Sequence, residues 1–173
     1  AMPTVYDTIR SMQRPLPGGA FIYYASLALT AGDAATAARI LAAVQSDDAQ
    51  LLELRDIVTA QRDLLAGRTD DVVRRLDLRL LNCREENKPL ALYWLGYGRT
   101  QLEDEEVRRQ GLLNLLRIPA LFGRDQPELA GAALFRSHQI LAKMNDPGGS
   151  VSLRKELLER YGQTYFAARI RSP

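Results

Sequence analysis

His138 is the chain's only histidine, so a nucleophilic triad, a multi-histidine metal site or a His–Glu pair would all have to rest on one imidazole placed mid-helix between Ser137 and Gln139. A packed or partly exposed histidine is the plainer role. Cys83 is also single: it has no partner for an internal disulfide, and one thiolate is too few for a zinc site. No histidine or glycine-led helix start lies near it, and Arg84 is followed at once by Glu85 and Glu86, which reads as a loop or core cysteine. Gly96 and Gly98 do not make a phosphate loop, because no strand precedes them and no Lys-Ser/Thr pair follows. The acidic runs at 47–48, 70–71, 85–86 and 103–106 stand where helices are expected to begin, so capping and solubility account for them. Calcium would need alternating oxygen ligands round a glycine turn, and no such 12-residue loop occurs. The residue inventory therefore assigns no catalytic residue, no metal and no cofactor, and the chain is expected not to be an enzyme.

Two remaining groups could bind rather than react. Tyr93, Trp94 and Tyr97 could line an aromatic pocket, although a core cluster is the simpler reading. Arg74-Arg75, Arg108-Arg109 and Arg154-Lys155 lie beside acids, so a solvated face is the default over a joint basic groove. Charge balance supports that. With 23 Lys plus Arg against 21 Asp plus Glu, the excess expected of a phosphate-backbone binder is missing, and no nucleic-acid partner is expected. Arginine outnumbers lysine by 20 to three, which reads as coding bias at this net charge. No apolar run nears the roughly 20 residues that span a bilayer. Ala1 ahead of Met2 reads as a residue left by cloning, so a removed leader is left open.

The elements that carry these residues are helices. At 173 residues the chain is about one domain's worth, read as a single domain over 1–173. Its 28 Leu and 22 Ala against seven Val and seven Ile favour helix over strand. A first short helix is expected over 3–14, ended by Pro15, Pro17 and Gly18-Gly19. Four helical hairpins follow, at about 20–46, 50–81, 89–122 and 127–161, with a closing helix over 163–171. Gly32 and Gly67 stop the first helices of two hairpins, with Asp33 and Thr69 as caps for the next. Pro119 is expected to break its helix, leaving 120–123 as an irregular segment. Asp125 to Glu128 is a helix start, and Asn145-Asp146-Pro147-Gly148-Gly149 is the strongest turn signal.

Gly32 and Gly67 stand 35 residues apart, close to the 34-residue helix–turn–helix period of tetratricopeptide repeats. The first hairpin resembles that family through Phe21, Tyr24, Ala25, Ala28, Gly32, Asp33, Ala37 and Leu41. Trp94 and Gly98 continue the likeness in the third hairpin, and Leu134, His138, Leu141 and Asn145-Asp146 in the fourth. Departures occur at Asp56 and Val72, and the 91–93 and 133–135 segments are 42 residues apart, which places an insertion around 118–125. The stretch 153–161 is similar to the repeat end of bacterial envelope TPR lipoproteins and Tol-associated TPR proteins, with Gly162 where these often have Pro.

What the resemblance implies is an all-α, TPR-like alpha-alpha superhelix whose first helices line a concave face, serving as a protein-interaction scaffold for a peptide or partner helix. The ligand-facing positions carried over are Gln61, Arg99, Glu103, Gln139 and Lys143, whose mixed signs suit a polar segment better than a long acidic one. A periplasmic or envelope-associated setting follows if a leader was removed. The alternative is a self-associating structural module of a larger envelope protein, a homo-oligomer formed by stacking of terminal hairpins. An unrelated helical bundle or other solenoid would share the same composition.

Overall fold

The computed structural model describes residues 18–30 and 32–171, and these contain nine α-helices and no strand. The helices are α1 (Gly18–Thr30), α2 (Ala34–Ala43), α3 (Ala49–Leu65), α4 (Thr69–Leu80), α5 (Lys88–Arg99), α6 (Glu105–Phe122), α7 (Pro127–Lys143), α8 (Pro147–Arg160) and α9 (Tyr165–Arg171). The all-α class expected from composition is what the chain adopts. The helix expected over 3–14 lies outside the described residues. Contacts divide the chain into two units that part between Arg68 and Thr69, a boundary that falls inside the expected second hairpin.

In the first unit α1 packs against both α2 and α3. Ala25 and Ala28 on α1 are fully buried, and short side chains there let two neighbours come close. Ile22 and Leu29 extend the same face, meeting a core to which α2 gives Ala37, Ile40 and Leu41 and α3 gives Leu54, Ile57 and Val58. The turn after α1 is fixed by backbone and cap together. Gly32 holds φ +86°, a left-handed conformation that costs a residue with a Cβ about 1–2 kcal/mol. Its N–H donates to Leu29 O, the Asp33 N–H donates to Ala28 O, and the Asp33 carboxylate then accepts from Thr36 N to start α2. Such a cap contributes about 1 kcal/mol. Gly67, at φ +84°, ends α3 in the same way, with its N–H on Leu64 O and that of Arg68 on Asp63 O. Asp48 caps α3 through Gln50 N and Leu51 N.

In the second unit each helix from α4 to α8 packs on the next. In addition α5 meets α7, and α9 lies on α7 and α8. The turn between α7 and α8 repeats the form of the one at Gly32. Asn145 takes the left-handed position at φ 58°, Asp146 N donates to Leu141 O, and the Asp146 carboxylate accepts from Gly149 N.

Two local expectations are corrected. Helix α6 does not break at Pro119 but runs on to Phe122. A proline's fixed φ is itself helical, and Pro119 stands near the helix end, where few hydrogen bonds are at stake. The last turn is held by burial of Ile118 and Pro119 and by the Tyr161 hydroxyl donating to Pro119 O at 3.3 Å. Residues 118–122, expected within an insertion, thus lengthen a helix. Pro147 to Gly149, read as turn, instead form the first turn of α8, because the Asp146 cap and a proline at the first helical position favour initiation over a reverse turn. Thr69 likewise is the first residue of α4 rather than its cap.

Candidate functional site

The five carried-over positions have different environments. Gln61 is fully buried, and its amide serves the first unit's interior: the Ser26 hydroxyl donates to Gln61 Oε1 at 2.5 Å, and Gln61 Nε2 donates to Ser26 O at 3.0 Å. It ties α1 to α3 and offers no exposed polar group to a ligand. Arg99, at the end of α5, is 19% exposed and ion-paired to Asp77 of α4 at 2.6 Å. Glu103 is exposed in the turn between α5 and α6. Gln139 is half-buried on α7, its Oε1 3.5 Å from Arg136 Nη1. Lys143 is exposed in the last turn of the same helix. The second unit therefore brings Gln139 and Lys143 onto one helix, while Arg99 belongs to a different feature.

That feature is an open groove of about 440 Å³ among α4, α5 and α6. Val73, Leu102 and Val107 give it apolar walls, and Asp70, Asp77, Arg99 and Gln110 give polar ones. Arg74 also lines it, paired to Asp71 at 2.5 Å. Both charge signs are present and largely compensated. In the other basic pairs one member is compensated in the same way: Arg109 meets Glu105 and Lys155 meets Glu159.

A second constellation joins α5 to α7. Tyr93 and Trp94 are buried and Tyr97 is half-buried. Trp94 meets Tyr93 edge-on at 5.0 Å and Tyr97 at 5.8 Å between ring centroids, the T-shaped arrangement that ring quadrupoles favour. The Arg136 guanidinium lies over the Tyr97 ring, 5.0 Å from its centroid. Burial pushes the Tyr93 phenol up from its ordinary value, and the charge and hydrogen bond of Arg136 work against that rise. The aromatic group is therefore mostly core, as the simpler reading had it, with one face turned to a cation. Trp94 Nε1 and Arg136 Nε are both buried with no hydrogen-bond partner.

Arg136 and Asp77 are the residues that sequence reasoning passed over. Arg136 had a signal: it stands three residues before Gln139 and seven before Lys143, on one helical face. Asp77 had none, since its partner is 22 residues away across two helices. His138 is half-buried, with Nδ1 2.8 Å from Ser150 Oγ and 3.0 Å from Ser150 O, a packing contact between α7 and α8. Cys83 is half-buried in the segment between α4 and α5. Among the described residues no group of three or more His, Cys, Asp or Glu is placed to hold a metal, and no helix is long and apolar enough to cross a membrane. Comparison with known proteins gives no match: no family model, no curated protein and no solved structure matches this chain.

Proposed function

We propose that this chain is a non-catalytic protein-interaction scaffold of TPR-like architecture, an alpha-alpha superhelix that receives a peptide or partner helix along the first helices of its hairpins. The observation that carries the reading is that such helices pack on one another within each unit, α1 on α3 and α5 on α7. Stacked hairpins bring their first helices together on one side, and that side becomes an extended wall suited to an elongated partner. The repeated turn, Gly32-Asp33 and Asn145-Asp146, supports it further, since one hydrogen-bond scheme sets the entry to α2 and to α8. Gln139 and Lys143 are the carried-over positions best placed for this role in the second unit. Gln61 is a structural tie within the first. An envelope setting is supported only by the likeness of 153–161.

A photo-crosslinking amino acid placed at Gln139 on α7 or at Val151 on α8 tests the reading. Peptides selected from a random library against the full chain should crosslink from position 139 and not from 151. Crosslinks confined to 151, or a library that yields no binder, would overturn it.

A second reading is self-association. Leu78 on α4 and Leu81 just past its end are large apolar side chains left mostly in water, and exposed apolar surface is what a second copy would cover. Light scattering over a concentration series separates the two, because only self-association makes the mass rise.

A further inference from the structure

The half-buried arginines Arg55, Arg62 and Arg99 each meet a carboxylate. Arg136 meets none among the described residues. Its guanidinium has the Tyr97 ring on one face, the Tyr93 phenol and a weak contact to Gln139 Oε1 as neutral partners, and a buried Nε with no partner. Arg108, also half-buried, shares both the orphaned Nε and the missing carboxylate among the described residues, but is not stacked on a ring. After Glu128 in its first turn, α7 carries no acid at all; its charged side chains are Arg136 and Lys143, and Lys143 makes no ion pair among the described residues either. A partly desolvated cation without a counter-charge is costly, and a ligand carboxylate removes that cost.

We infer that the α7 face carrying Arg136, Gln139 and Lys143 receives an acidic stretch of a partner peptide, one carboxylate being taken by the Arg136 guanidinium beside Tyr97. This rests on the scaffold reading above and names the chemistry of its partner, which is more acidic than the mixed signs of the carried-over positions imply. A ring against one face of a guanidinium leaves its in-plane edge to polar partners. The Tyr93 phenol and Gln139 Oε1 that share this edge are both neutral, so a carboxylate, which matches it in bidentate fashion, competes with them favourably. The Gln139 Oε1 is turned to Arg136, which leaves its amide NH2 as a further donor. Arg136 and Lys143 are seven residues apart on a helix, about 10 Å along its axis. A peptide in the polyproline-II conformation, with three residues per turn and about 3.1 Å rise, covers that distance in about three residues and brings both side chains to the same side. The partner signature is thus two acidic residues three apart.

Trp94 is the chain's only tryptophan, and its contact with Tyr97 makes its emission a local probe. The test titrates the full chain with a capped peptide bearing two glutamates three residues apart, with its diglutamine counterpart, and with inorganic phosphate at matched ionic strength. The expected result is a saturable emission change with the glutamate peptide, weakened at least tenfold by glutamine in the peptide or by Arg136→Gln. Lys143→Gln, at an exposed site, should weaken binding several-fold without touching the fold, and Arg154→Gln on α8 should leave it unchanged. Should Arg136→Gln fail to fold by circular dichroism, the Lys143→Gln result decides. Equal binding of the two peptides, full binding by the folded Arg136→Gln or Lys143→Gln variant, phosphate binding as tight as the peptide, or no saturable change would each overturn the inference. None of these alters where library-selected peptides crosslink, so the scaffold reading stands or falls separately.

Discussion

Gly96 of α5 and Gly111 of α6 face each other so closely that a Cβ on Gly96 would lie 2.9 Å from Gly111 O, and one on Gly111 would lie 2.7 Å from Gly96 O. Both atoms met are backbone, which has little room to yield. Alanine at either position gains about 1 kcal/mol of helix propensity but forces the helices apart, an overpacking cost of about 1–3 kcal/mol. Gly96→Ala and Gly111→Ala are each expected to lower the urea midpoint, with unchanged helical content at low denaturant. A raised midpoint in either would mean that α5 and α6 separate at no cost.

The buried tie between α1 and α3 makes a prediction with its own control. Gln61→Leu removes both hydrogen bonds to Ser26 and should cost about 1–3 kcal/mol, the range for stranding a desolvated polar group. Ser26→Ala combined with Gln61→Leu should recover part of that loss, because the hydroxyl that lost Gln61 Oε1 is then gone, while the Ser26 carbonyl still lacks its Gln61 donor. Thermal melts of the two variants, compared with the parent, measure the difference.

The turn residues respond to substitution by conformation rather than by space. Nothing lies within 4 Å of a Cβ built on Gly67, yet its positive φ makes Gly67→Ala costly by about 1–2 kcal/mol. Asn145 already occupies that region with a side chain, and glycine tolerates it better. Asn145→Gly is therefore expected to be neutral or slightly stabilising. Chemical denaturation of both variants reads the contrast in sign.

Tyr93 gives a pH signature. Its phenol is raised above the usual 10.0 of tyrosine, chiefly by burial. A raised acid holds its proton in the folded state at a pH where the unfolded chain has lost it, so its stability is intact below about pH 10 and falls as pH rises beyond that. Tyr23, also raised by burial, adds to the same alkaline slope. Tyr93→Phe should flatten the decline between pH 9 and 11, and identical slopes in parent and variant would remove Tyr93 as its source.

Much of this was legible in the chain itself. The Leu and Ala excess fixes the helical class, because straight and small side chains lose little freedom in a helix. Gly32, Gly67, Asp33, Asp48 and Asp104 announce their helix ends by local chemistry, and each ends or caps a helix as read. Such signals act within a few residues, which is why they survive without tertiary knowledge. Pro119 and the Pro147-Gly148-Gly149 run misled for a related reason: their local preference is a bias, and burial of Ile118, the Tyr161 hydroxyl and the Asp146 cap outweigh it.

The site was harder to read because its meaning lies in pairs of residues far apart in the chain. No pattern along the sequence says that Arg99 is neutralised by Asp77 or that Gln61 is spent on Ser26. Nor does any say that Arg136, flanked by Phe135 and Ser137, settles on a tyrosine ring with no acid to meet it. Spacing decides which side chains share a helix face, since that follows from 3.6 residues per turn. Which of those faces is buried, paired or left with an uncompensated charge depends on what the neighbouring helix brings to it, and only the packed structure determines that.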